Sequence, residues 1–287
     1  MESERTVQLK IGVNGLLWST QVGPAEFDLL PRLRAAGFDI FEIPMFVPRE
    51  VPVTTLTRAL DANQLDRTVC AILPAGLSPI SSDASVRAKT LVHLKDCVRT
   101  TSDLGASLIA GPLYAPVGYL TGQRRTDDEL KLAVNCFQSL TGTLDENSVT
   151  LALEPLNRFE TFFLNTAAEG RLLCNAIGHP RIGLLLDTFH ANIEEKEVAA
   201  SFAATKTWLR HIHISENDRG IPGSGHVNFP AVLTTLHEMG YAGSLVIESF
   251  GYHHPELAAA TAIWRDLAPT PEAIAFEGIR YLKTLVA

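Results

Sequence analysis

The chain of 287 residues is poor in sulfur, and its four cysteines, Cys70, Cys97, Cys136 and Cys174, stand far apart with no C-x-x-C spacing. That pattern offers neither a thiolate metal clasp nor a redox pair, so a reducing cytoplasm is the expected compartment. Between Met1 and Lys10 there is no apolar signal-peptide core, and no apolar run approaches the roughly 18 residues of a membrane span. A soluble protein with no membrane contact is expected. No run of Lys or Arg exceeds two residues, and the net charge is -8. Nucleic acid is therefore not an expected partner, because neutralising phosphates takes a basic surface. A G-x-G-x-x-G after the first apolar run is missing as well, which removes the usual sign of an open nucleotide-binding sheet.

What is present is apolar material. A hydrophobic share of 46% against 20% charged residues suffices for a large core and argues against disorder. Short apolar runs rich in β-branched residues recur at Leu9–Asn14, Ile40–Pro44, Arg67–Leu73, Ser107–Gly111, Val149–Glu154, Ile182–Asp187, Arg210–Ser215 and Ser244–Glu248. Near-continuous hydrophobicity of this kind suits strands buried on both faces, as in a parallel sheet. Between them lie helical patterns such as Asp83–Leu104, Thr126–Leu144, Thr166–Ile177 and Asn228–Met239, with Gly37, Gly105, Gly178 and Gly240 placed to end helices. The alternation predicts an α/β chain folded as a single (β/α)8 TIM barrel over residues 1–287, with 1–7 as an N-terminal extension. Pro31, inside the expected first helix, predicts a kink or a short helix. The stretches Tyr114–Arg125 and Glu216–Asn228, rich in Gly and Pro, read as loops after strands, on the face where barrels build active sites.

Four potential ligands close or nearly close four consecutive strands: Glu154 in LALEP, Asp187 in LLLDTFH, His213 in HIHIS and Glu248 in LVIES. Their spacings of 33, 26 and 35 residues are each about one βα unit, so the four converge on one half of the rim. A carboxylate ending an apolar strand is costly to bury unless it is paired or bound to a cation. One such residue reads equally well as a helix cap or salt bridge; four in consecutive units point to a metal. Three carboxylates and one imidazole suit Mn2+ or Mg2+, with Co2+ also compatible, whereas a structural Zn2+ site would want more sulfur and nitrogen. Asn157, Arg158, Glu160, His190 and Arg219 are polar neighbours able to hold substrate, although Arg158 reads better as the partner of a rim carboxylate. His211 faces the same side of its strand as His213 but deeper, and reads as a satisfied core histidine. Glu42 has two readings, one structural and one at the site. Trp18, Tyr114 and Phe250 are candidates for the pocket wall.

The wording of these segments, LEPLNRFETFFLNTAAEG at 153–170, LLLDTFHANIEE at 184–195, HIHISENDRGIPGSG at 211–225 and VIESF at 246–250, closely resembles the D-tagatose and D-psicose (allulose) 3-epimerases. These are ketose 3-epimerases among the xylose-isomerase-like TIM barrels. The resemblance extends through WRDLAPTPEAIAFEGIRYLK at 264–283 and is weaker before Val149. It implies a divalent metal, Mn2+ first, held by Glu154, Asp187, His213 and Glu248, with Glu160, His190 and Arg219 holding O1 and O2 of a free ketose. It further implies that Glu154 and Glu248 are catalytic from opposite faces of C3, one removing the proton to give a cis-enediolate and the other returning one. A homodimer or homotetramer is implied too. Departures fall at the sugar's far end: Asn14 stands in VNGLLW where an aromatic is common, and GPLYAPVGY has no tryptophan.

The same donor set would also serve an aldose-ketose isomerase of the hydroxypyruvate-isomerase-like type, although NRFE, DTFH and NDRG favour C3 chemistry. An endonuclease-IV-like phosphodiesterase would need more histidine ligands and a basic face. A catalytically silent sugar-binding barrel is the remaining reading.

Overall fold

In a computed structural model, described over residues 9–286, eight parallel strands close on themselves. The extension expected at 1–7 lies outside the described residues. The strands are β1 (Lys10–Asn14), β2 (Ile40–Met45), β3 (Asp66–Ala71), β4 (Leu108–Gly111), β5 (Thr150–Leu153), β6 (Ile182–Asp187), β7 (Leu209–Ile214) and β8 (Ser244–Ile247). They pair in chain order, and β8 returns to β1 through Lys10 opposite Ser244 and Val13 opposite Ile247. The expected (β/α)8 TIM barrel is the observed fold.

Helices α1 (Leu29–Ala36), α2 (Val53–Ala62), α3 (Ala84–Asp103), α4 (Asp127–Glu146) and α5 (Ala167–Ile177) follow the first five strands in turn. After β6 come two short helices, α6 (Thr188–Glu194) and α7 (Val198–Ala203); α8 (Phe229–Met239) follows β7, and α9 (Pro255–Ala260) and α10 (Pro271–Val286) follow β8. Helix starts carry the signals that define them. Thr126 and Thr166 each cap the third backbone N–H of their helix while Glu129 and Glu169 reach back. Pro31 sits in the first turn of the eight-residue α1, where a missing N–H is harmless, so of the two expectations the short helix is the one observed.

Strand alternation sorts residues onto two surfaces. Val13, Ile43, Val69, Ile109, Leu151 and Ile212 belong to the main apolar core between barrel and helices. The other parity fills the interior, with Ala110, Ala152 and Leu185 as a small separate cluster and buried Asn14, Glu42, Thr68, His211 and His213 beside it. Both surfaces are buried, which is why the strands read as unbroken apolar runs.

Candidate metal centre and active site

Glu154 and Glu248 stand one residue past β5 and β8 but still extend the ladder, their N–H groups donating to Gly111 O at 3.2 Å and Ile214 O at 3.3 Å. Asp187 ends β6 and caps α6, with Oδ1 accepting from Phe189 N at 2.7 Å while Oδ2 faces the barrel axis. The cap therefore uses one oxygen of Asp187 and leaves the other free to act as a ligand. The hydroxyl of Thr188 clamps the ends of β6 and β7 together, donating to Ser215 O at 2.7 Å and accepting from Ser215 N at 2.8 Å. His213 then projects inward between them.

One donor atom from each of Glu154, Asp187, His213 and Glu248 lies within 4.8 Å of the others, and all four residues are buried. His213 Nδ1 is 3.9 Å from Glu154 Oε1, 4.0 Å from Asp187 Oδ2 and 3.2 Å from Glu248 Oε1. Glu154 Oε1 and His213 Nδ1 are buried with no hydrogen-bond partner among the described residues. A buried polar atom without a partner is expensive, and two that lie 3.9 Å apart beside the Asp187 and Glu248 carboxylates are the signature of a cation site. The residues fit a hard or borderline divalent ion.

The electrostatics are asymmetric. Burial and the neighbouring Glu248 charge push the Glu154 pKa well above the carboxylate range. Burial acts the same way on Glu248, but His213 and Arg219 outweigh it and bring that group down to about 2. For His213 burial disfavours charge, yet the Glu248 and Glu42 carboxylates prevail and hold its pKa well above the usual value. In Glu42 the charges of His213 and His211 likewise overcome burial and lower the pKa. Arg219 Nη1 reaches Asp187 Oδ2 at 2.5 Å, Glu248 Oε2 at 2.9 Å and Ser215 Oγ at 2.9 Å.

His190 completes a donor pair. Its Nδ1 accepts from Asn157 N at 3.1 Å, which leaves the proton of the neutral ring on Nε2. Burial and the Arg219 charge keep it neutral, with a pKa lowered to about 3. Nε2 lies 3.2 Å from Arg219 Nη2 and 3.7 Å from Glu154 Oε1. Two donors aimed at one small volume suit a single substrate oxygen on which charge develops. Glu160 accepts from Asn157 Nδ2 at 2.8 Å, and burial raises its pKa.

Glu154, Glu160, His190, Arg219 and Glu248 line one cavity of about 130 Å3 at the C-terminal end of the barrel. The rest of its lining is largely apolar and includes Leu16, Phe46, Ile72, Val117 and Leu257, with the Thr261 hydroxyl already donating to Leu257 O at 2.8 Å. The sequence alone did not mark that wall, because its residues come from separate loops and from α9. Of the aromatic candidates, Phe250 lines the cavity. Tyr114 is instead fully buried and donates to Glu154 O at 2.7 Å, pinning the backbone of a candidate ligand. Trp18 is not among the lining residues; its carbonyl lies 2.6 Å from His254 Nε2. Arg158 forms a two-pronged ion pair with Glu194 at 2.9 Å and does not line the cavity. Asn14 does not line the cavity, and its side chain is bound to Glu42 and Glu248.

Comparison with known proteins agrees with this geometry. The sequence model of the xylose isomerase-like TIM barrel family matches residues 30–285. A protein named "Probable ketose 3-epimerase" from Synechocystis sp. is 33% identical, with 96% of each chain covered. An L-ribulose 3-epimerase from Mesorhizobium japonicum is 34% identical over 90% of this chain and 88% of its own. The crystal structure of a Methylomonas sp. D-allulose 3-epimerase in complex with D-allulose superposes with a TM-score of 0.91 at 28% identity, covering 97% of both chains. A barrel with a buried Glu-Asp-His-Glu quartet, matched over nearly its whole length at this identity, belongs to the xylose isomerase-like TIM barrel family and, within it, to the ketose 3-epimerases.

Proposed function

We propose that the protein interconverts free ketoses by epimerisation at C3, with Glu154 and Glu248 as the proton carriers. The observation that carries this reading is the pair of buried, unpartnered atoms, Glu154 Oε1 and His213 Nδ1, at the centre of the quartet. Glu154, Asp187, His213 and Glu248 would hold a divalent ion, Mn2+ before Mg2+ or Co2+. When bound, the ion supplies Lewis acidity that makes the C3 proton easier to remove. One of the two glutamates takes that proton to give a cis-enediolate, and the other returns a proton from the opposite face, inverting the centre. His190 Nε2–H and the Arg219 guanidinium donate to O2 as negative charge grows there, and Glu160 accepts from the O1 hydroxyl.

The apolar wall decides which ketose. A buried hydroxyl without a partner costs about 1–3 kcal/mol, and Leu16, Phe46, Ile72, Val117 and Leu257 offer none. A pentulose sends one hydroxyl fewer toward that wall than a hexulose, so a ribulose-like pentulose is the proposed preferred substrate. The L-ribulose activity named for the Mesorhizobium relative supports the choice. A reducing, cytoplasmic setting is supported by four free buried cysteines, and no helix among the described residues is long and apolar enough to cross a membrane. We extend to this chain the homodimer or homotetramer that the resemblance implies.

Incubating tetruloses, pentuloses and hexuloses with the Mn2+-loaded enzyme in D2O, and reading by NMR which carbon exchanges, tests the proposal. Exchange confined to C3 with the ketose retained is expected. An aldose product would favour the hydroxypyruvate-isomerase-like alternative.

A further inference from the structure

Directly below the quartet the barrel interior holds Glu42, which the proposed chemistry leaves without a role. It lies on β2, is completely buried, and its two oxygens take four hydrogen bonds. Oε1 accepts from Asn14 Nδ2 at 3.0 Å and His213 Nε2 at 2.7 Å; Oε2 accepts from Thr68 Oγ1 at 2.8 Å and His211 Nε2 at 2.7 Å. Glu42, His211 and His213 lie close enough to be considered a cation site in their own right. Their geometry argues otherwise. Both imidazole nitrogens meet oxygens at hydrogen-bond distance, so neither has a lone pair left for an ion.

The two histidines differ in what their other nitrogen meets. His211 Nδ1 lies 3.1 Å from Ser244 Oγ and is satisfied. His213 Nδ1 has no hydrogen-bond partner and faces Glu154, Asp187 and Glu248. A second connection runs through Asn14. Its Oδ1 accepts from Leu16 N at 2.9 Å, which settles the amide orientation, and its Nδ2 then donates both to Glu42 Oε1 and to Glu248 Oε1, the latter at 3.2 Å.

We infer that Glu42 is the positioning residue of the metal centre: by accepting from His213 Nε2 it keeps Nδ1 turned to the quartet, and through Asn14 it steadies Glu248. An imidazole oriented by a carboxylate at its distal nitrogen is a stronger and better aimed ligand, and loss of such a partner typically weakens metal binding about 10–100-fold. Glutamine at position 42 cannot replace it fully. With the amide nitrogen toward His213, the ring must protonate on Nδ1 and is lost as a ligand. With the amide oxygen toward His213, Thr68 and His211 face a donor and the negative charge is gone.

The inference rests on the quartet being the metal site, and calorimetric Mn2+ titration of the metal-free proteins separates the two. Glu42→Gln is expected to raise the Mn2+ Kd at least tenfold. Thr68→Val, which removes another donor to the same carboxylate while keeping side-chain shape, should lower the melting temperature of the metal-free protein but leave Kd within threefold. Glu42→Asp, which withdraws the carboxylate from His213, serves if the amide variant does not fold and should move Kd in the same direction. An unchanged Kd in the Glu42 variant, or an equal rise in Thr68→Val, overturns the inference. Wild-type protein that binds no Mn2+ overturns the reading of the quartet itself.

Discussion

The guanidinium of Arg219 lies 4.1 Å from the ring centroid of Phe189 and 4.9 Å from that of Phe250, while Nη1 binds Asp187, Glu248 and Ser215. A lysine ammonium can neither stack on two rings in this way nor present a planar fork. Arg219→Lys is expected to lower kcat/KM for C3 exchange about 100-fold, measured by initial rates in D2O; a loss under threefold would show that only the charge matters. Glu154→Gln and Glu248→Gln each remove a proposed proton carrier and should each cut kcat by about 100–10,000-fold. Retention of activity in either would remove that residue from the proposed pair. His190 carries a pH consequence. Its pKa falls from 6.5 to about 3 in the folded chain, so below pH 6.5 the unfolded chain takes up a proton that the folded chain refuses. The stability it contributes is complete above pH 6.5 and is lost as the pH falls toward 3. In the metal-free protein this residue should account for a loss of about 2 kcal/mol between pH 6.5 and 5. Urea titrations of wild type and His190→Gln at both pH values measure it, and parallel losses in the two proteins would contradict it.

Among the elements, β4 and the end of β5 depend on one another. Gly111 closes β4 with φ at +134°, and a Cβ there would lie 2.1 Å from Ala71 O on β3. Its carbonyl in turn accepts from Glu154 N. Gly111→Ala therefore meets both a backbone clash and a left-handed φ, and should destabilise the fold by at least about 2 kcal/mol in urea unfolding. A loss under 1 kcal/mol would mean that β3 and β4 can separate without consequence for the barrel. The helix starts at Thr126 and Thr166 were legible in sequence because a capping box occupies four consecutive residues. The close approach at Gly111 was not, because its partner Ala71 lies on the neighbouring strand.

For the whole molecule, the quartet concentrates three carboxylates in a buried site where, among the described residues, His213 and Arg219 are the cationic groups against them. An ion that binds the folded chain alone should stabilise it by about 2.7 kcal/mol at a hundredfold excess over Kd. For a chain of this length that is a rise of roughly 5 °C in melting temperature. Scanning fluorimetry with Mn2+ against chelator measures it, and Asp187→Asn should abolish most of the shift. A wild-type protein indifferent to both additions would argue that His213 and Arg219 already balance the site.

The order of eight strands, the helix starts and the four candidate ligands at successive strand ends were all written locally. A strand's two buried faces, a cap and a terminal carboxylate each show themselves within a few neighbouring residues, and the βα period then places the ligands together. Tertiary structure alone decided what surrounds them. Asn14 and Glu248 are 234 residues apart in the chain, Glu42 and His213 are 171 apart, and the apolar wall joins Leu16 to Leu257. No spacing rule links such positions. They meet because closing the barrel turns one parity of every strand toward a common axis, where each buried polar atom must find a partner from whichever strand stands opposite.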